Sequence, residues 1–307
     1  MKFTRIHYIL IVVTTATTFI SGYLLEGSII SGISFSISLM LILGAHEMGH
    51  YYYGKKYNAS ISPPYFIPAP PFISPIGTFG AFIKIKSRMF NKKELFDIGV
   101  AGPIWGVIVA IPVLIAGLYL SEVVSVNTDA VEKIESGLAL GDSLIFLFFT
   151  KIIFGEIKEG YEVFLHPVAF AGWIGLFVTA LNLIPSGQLD GGHIVYSVFP
   201  RNWHLLISKI SVAILIVMGF GTESIFFLVD HYNLMDYSNT FLVNLRFQGW
   251  MGWLLWGIIL TLLGTKHPPT FYDEIDIGIK RKVVALISLL IFVLCFTPVP
   301  IKVVEFG

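Results

Sequence analysis

Seven apolar runs constrain this chain more than anything else in it. They cover about 6–25, 29–52, 96–120, 161–184, 205–229, 247–264 and 282–299, to within a few residues. Most approach the ~20 residues needed to cross the hydrocarbon core of a bilayer. Of the 307 residues, 55% are hydrophobic and only 13% charged, where a soluble domain carries about 25% charged residues. Backbone inside hydrocarbon must satisfy its own hydrogen bonds, so each run predicts a helix. The expected fold class is an all-α polytopic membrane protein with about six to seven transmembrane helices. It forms one integral-membrane domain over 1–307, with no separate soluble domain. Net charge is zero, so there is no basic footprint for nucleic acid. The single cysteine, Cys295, excludes an intramolecular disulfide and reads as a small buried hydrophobe.

Basic residues orient the runs. Lys2 and Arg5 precede the first, and Lys55 and Lys56 follow the second. Lys84, Lys86, Arg88, Lys92 and Lys93 precede the third, Arg201 and Lys209 open the fifth, and Lys266, Arg281 and Lys282 separate the last two. Alternating spans put all of them on one side, taken as cytoplasmic. The opposite loops are Glu26 to Ser28, about 121–160 and about 230–246, and the 121–160 loop is acidic, with Glu122, Asp129, Glu132, Glu135, Asp142, Glu156 and Glu159. Arg246 and Lys302 run against the bias. The first run is too long for a signal-peptide core and lacks a small-x-small cleavage site, so it is expected to be retained.

Two stretches interrupt the helical reading. From Ile61 to Ser87 six prolines forbid a helix, and Thr78 to Lys86 is rich in strand formers, predicting a hairpin at the membrane face. Such a hairpin is either an interfacial linker or an edge that takes up an extended peptide. Leu144 to Phe154 is apolar but too short to span, which predicts an interfacial or re-entrant helix.

The chemistry begins at His46-Glu47-Met48-Gly49-His50, near the cytoplasmic end of the second run. In a helix the two histidines lie one turn apart on one face, the spacing of a two-histidine zinc site with an adjacent general base. Such a site needs a third protein ligand and an open position. Asp190, in Ser186-Gly187-Gln188-Leu189-Asp190-Gly191-Gly192-His193, falls on the same side of the bilayer after the fourth run. A carboxylate there reads as the third ligand, as a helix N-cap, or as both.

These paired motifs resemble those of the site-2 protease family of intramembrane zinc metalloproteases. The likeness rests on His46-Glu47-x-x-His50, on Asn182-x-x-Pro185-x-x-x-x-Asp190-Gly191, on Gly77-Thr78-Phe79-Gly80 and on Ala101-Gly102-Pro103, and covers about residues 40 to 200. It implies one Zn2+ per chain held by His46, His50 and Asp190. It further implies Glu47 as catalytic base, Asn182 as an aid to the developing oxyanion, and a core of the second, third and fourth spans. Many bacterial members carry a PDZ-type domain after the third span. The insert here is too short for one, so the chain looks closer to the compact branch that includes chloroplast relatives.

The function so implied is hydrolysis of peptide bonds within or near transmembrane segments of membrane-protein substrates. The catalytic core would occupy about 29–200 and the C-terminal helices about 205–299. Alternatives are another membrane zinc peptidase, or a non-proteolytic metal-binding membrane protein or transporter. The expected location is a multi-pass position in a prokaryotic plasma membrane, with the site toward the cytoplasm. The partners are the lipid bilayer and a substrate with a transmembrane helix; oligomeric state is not specified. His193 reads as a neighbour of the ligands or as a helix-face residue, and His267 as a solvated loop residue or, alternatively, a substrate contact. His166, His204 and His231 read as loop or interfacial residues, and Trp250, Trp253 and Trp256 as an aromatic belt.

Overall fold

The computed structural model describes residues 3–86, 88–125, 136–158, 160–231 and 249–305. Lys2, Asp129, Glu132, Glu135, Glu159 and Arg246 lie outside the described residues, as do the side chains of His231 and Lys302. The described chain is mostly helical. Its helices are α1 (Arg5–Glu26), α2 (Ile29–Lys56), α3 (Lys92–Tyr119), α4 (Leu144–Phe154), α5 (Pro167–Leu183), α6 (Asp190–Val198), α7 (Arg201–His231), α8 (Met251–Leu263) and α9 (Ile279–Cys295). Four helical stretches are long and apolar enough to cross a membrane: α1, α2, α3 and Arg201–Gly221 of α7. The apolar helices α4, α5 and α8 are shorter. Helix α7 breaks at Gly221, whose φ is 68°.

Local chemistry sets the helix ends. Asn91 caps α3, its Oδ1 accepting from the amides of Lys93 at 2.9 Å and Glu94 at 3.0 Å. The fourth apolar run does not begin as a helix. Tyr161–Phe164 is a strand paired antiparallel with Glu122–Ser125, and α5 starts only at Pro167. Proline forces the preceding His166 into extended backbone but suits the first helical turn. The His166 ring accepts from the amide of Val168 and becomes the cap.

Helices α2, α3 and α5 pack on one another, as the family resemblance implies. Phe35, Leu39 and Ile42 of α2 meet Ala110 and Leu114 of α3 and Leu176 and Ala180 of α5 in one buried cluster. On α2 the residues Ile33, Ile37 and Leu41 are exposed, the face left for lipid.

Strands β1 (Tyr65–Pro68) and β2 (Thr78–Phe82) form the expected antiparallel hairpin. Its depth differs from the expected membrane-face position. The Tyr65 ring lies 4.3 Å from that of His7, near the start of α1, and the Thr17 hydroxyl donates to the Gly77 carbonyl at 2.7 Å. The hairpin therefore follows α1 for ten residues, about 15 Å of rise, into the depth that helix spans. Non-helical backbone at that depth is tolerated where protein covers it. The other pairings are β3 (Glu122–Ser125) with β5 (Tyr161–Phe164), and β4 (Ser136–Leu140) with β6 (Ile301–Glu305). Trp253 is fully buried rather than part of a belt; its indole donates to the Pro298 carbonyl at 2.7 Å.

Candidate metal centre

Helix α2 carries His46 and His50 one turn apart, and their Nε2 atoms lie 3.2 Å from each other. The chain leaves α5 at Leu183 and turns through Pro185 and Ser186. Gly187 completes the turn with a φ of +55°, a conformation few other residues adopt, and α6 begins at Asp190. Leu189, not Asp190, is the N-cap, so the Asp190 carboxylate is free to turn inward. Its Oδ2 lies 3.2 Å from both His46 Nε2 and His50 Nε2. The spans that sequence places on one side of the bilayer thus meet.

The donor set can be tested against a metal. Four donors held tetrahedrally at about 2.0–2.1 Å lie about 3.3 Å from one another, close to the separations seen. The protonation pattern agrees. His50 Nδ1 lies 2.7 Å from the Ile98 carbonyl, which can only accept, so that nitrogen carries the hydrogen. In the neutral form of the ring this leaves the lone pair on Nε2, which faces His46 and the Asp190 carboxylate, as a metal ligand requires. Among the described residues this trio is the group of His, Cys, Asp and Glu that could hold a metal ion.

Helix α3 closes over the trio. A Cβ at Gly102 would stand 2.1 Å from His50 Nε2, so only glycine lets α3 come this close. Glu47 is buried beside the histidines, and its Oε2 has no hydrogen-bond partner. Asn182, in the last turn of α5, places Nδ2 3.4 Å from His46 Nε2. All five residues singled out from sequence therefore converge.

Several contacts around the site have no sequence signal of their own. His193 follows Asp190 by three positions and so lies on the same helix face. Its Nδ1 is 2.7 Å from Nε2 of His267, and His267 is 5% exposed, not solvated. His267 stacks on Tyr196, and His204, also buried, meets the edge of the same ring. Burial lowers both imidazoles, His193 to about 4 and His267 to about 3. Burial, then a hydrogen bond given to Asp273 at 2.6 Å, raises the Tyr196 hydroxyl. Residues 264–278 thus form a strap over α6, held further by the Phe271 and Tyr272 amides on the Met89 and Phe90 carbonyls. At its far end Arg281 grips Asp97 of α3 through two bonds, 2.8 and 2.7 Å long, and Tyr57 donates to the same carboxylate.

Comparison with known proteins points to one family. The model of "Peptidase family M50" matches residues 34–222. The rice (Oryza sativa subsp. japonica) protein named "Probable zinc metalloprotease EGY1, chloroplastic" is 31% identical over 254 residues, covering 82% of this chain and 38% of that protein. Its Arabidopsis thaliana namesake is 30% identical over 259 residues, 84% of this chain and 41% of that protein. "Probable zinc metalloprotease EGY2, chloroplastic" of Arabidopsis thaliana is 30% identical over 201 residues, 64% of this chain and 34% of that protein. The chain thus spans about two fifths or less of the length of these relatives. No solved structure matches it.

Proposed function

Because the chain belongs to peptidase family M50, the site-2 proteases, we propose that it is an intramembrane zinc metalloprotease that hydrolyses peptide bonds within or near transmembrane segments of membrane proteins. The observation that carries this reading is the convergence of His46 and His50, on a helix long and apolar enough to cross a bilayer, with Asp190 at the start of α6, and with Glu47 buried beside them. The domain is the whole of 1–307, with its catalytic core over about 29–200 and six to seven spans once α5, α8 and α9 are counted with the longer helices. Lys55, Lys56, Lys92, Lys93 and Arg281 gather at the end of the bundle that holds the trio. By the positive-inside rule that end faces the cytoplasm. The relatives named above are plant proteins named as chloroplastic. They give no support to the prokaryotic plasma membrane expected from sequence.

In this reading His46, His50 and Asp190 hold one zinc ion. When bound, zinc supplies Lewis acidity and lowers the pKa of a coordinated water toward neutrality. Glu47, with an unpartnered oxygen in a dry setting, takes a proton from the attacking water and returns it to the leaving amine. Asn182, next to His46, donates its amide to the oxygen on which negative charge develops. The Ile98 carbonyl holds His50 in the tautomer that leaves Nε2 free.

The test pairs two measurements on wild type and Glu47→Gln: zinc content, and cleavage of a reconstituted transmembrane peptide. The expected result is equal zinc in both, with the rate in the variant lower by about 10²–10⁴-fold. Full cleavage by the variant would remove Glu47 as base, and a wild type without bound metal would end the reading.

A further inference from the structure

The His193–His267 pair has no place in the mechanism above, yet it is built with care beside the metal centre. His267 Nδ1 lies 2.6 Å from the carbonyl of Pro268. A carbonyl cannot donate, so this nitrogen carries the hydrogen. Both rings are neutral at pH 7 because burial disfavours their charged forms. Neutral His267 therefore offers a lone pair at Nε2, and the hydrogen in the 2.7 Å contact belongs to His193 Nδ1. One backbone carbonyl in the strap thus fixes two tautomers in series. The series ends at His193 Nε2, which must be a hydrogen-bond acceptor.

No hydrogen bond to that acceptor is found among the described residues, and His193 is partly exposed. Its place is defined. His193 stands one turn after Asp190 on the same face of α6, and its ring packs over Gly99, the neighbour of the Ile98 carbonyl that orients His50. A peptide whose carbonyl carbon lies at the trio presents its next backbone N–H groups within a few ångströms, the distance of one helical turn.

Resting on the protease reading, we propose that His193 Nε2 accepts a hydrogen bond from a backbone N–H of the extended substrate segment in the active site. His267, braced by the Pro268 carbonyl, is the positioning residue that keeps His193 in the accepting tautomer. The recognised chemistry is the peptide backbone, so the contact favours unwound chain over helix, whose amides are already bonded. The bond exists in bound substrate as well as in the transition state, so its loss shows mainly in KM.

The zinc-loaded holoenzyme tests this with four variants on one transmembrane peptide. His193→Asn keeps an amide near the Nδ1 position but has nothing at Nε2, and should raise KM about tenfold with kcat and zinc content unchanged. His267→Phe keeps a ring against Tyr196 but loses the acceptor, and should give the same KM rise. His267→Gln, whose side-chain oxygen reaches the Nε2 position, should recover most of it. Nitrogen-15 spectra of the imidazoles should show His193 protonated at Nδ1 in wild type and His267→Gln, and a mixture in His267→Phe. An unchanged KM in His193→Asn overturns the proposal, as does a parallel loss of zinc or kcat in all three. If His267→Phe does not fold, His193→Asn decides alone. Glu47→Gln separates the two levels: its full activity sinks the protease reading, whereas its inactivity beside a normal KM in His193→Asn sinks only this inference.

Discussion

The α2–α3–α5 core holds the metal centre and the strap at 264–278 lies over the neighbouring α6, and different forces hold them. In the core, backbones approach closely and buried apolar side chains such as Phe35, Leu39 and Leu114 fill the space. In the strap, side-chain hydrogen bonds bind together positions far apart in sequence: His193 to His267, Tyr196 to Asp273, Asp97 to Arg281. The first arrangement tolerates no added volume. The second does not tolerate the loss of a partner. Rigid packing thus places the donors, and a polar network fixes which atoms of the surrounding residues carry hydrogen.

The contrast can be broken at three points of falling severity. Gly102→Ala puts a methyl 2.1 Å from His50 Nε2 between two packed helices. The expected outcome is loss of bound zinc and of activity, checked by metal analysis of purified protein; wild-type zinc content would show the core to be softer than described. Arg281→Ala leaves Asp97 and Tyr57 without their cation in a partly exposed setting and should cost about 1–3 kcal/mol. It should lower the thermal midpoint while zinc content stays at the wild-type level.

Taken per pH unit and per imidazole, the smallest effect is a pH slope. His193 and His267 have folded values below the ordinary 6.5, at about 4 and about 3. Below pH 6.5 the unfolded chain therefore binds more protons than the folded one, and stability falls as pH drops toward 4. Each imidazole contributes at most about 1.4 kcal/mol per pH unit. Thermal midpoints between pH 7 and 5 should show a shallower slope in His267→Gln than in wild type.

Much of the core was legible because its signals are local. The apolar runs mark α1, α2 and α3, and His46-Glu47-Met48-Gly49-His50 and the turn before Asp190 each carry their chemistry within a few residues. The bilayer side of each run then brings the two motifs together. What sequence hid has physical causes. In lipid, exposed Ile37 and buried Leu39 are equally apolar, so hydropathy separates span from loop but not core from lipid face. Trp253 looked like a belt residue for that reason. His267, in Lys266-His267-Pro268-Pro269, has the composition of a solvated loop, and its burial comes from residues distant in sequence, His193, Tyr196 and His204. The depth of the β1–β2 hairpin depends on the Thr17 hydroxyl, which no pattern in the hairpin announces.

The pairing of Ser136–Leu140 with Ile301–Glu305 has a consequence for biosynthesis. The first strand emerges from the ribosome before α4, yet its partner is made more than 160 residues later. Between the two events α5, α7, α8 and α9 are made. Neighbouring Gly141 gives its amide to the Pro300 carbonyl and accepts from the Trp173 indole, so one early residue links the late segment to α5. The nascent chain therefore carries a half-made sheet edge through most of its insertion, and the face opposite the metal centre closes only when translation has passed residue 301.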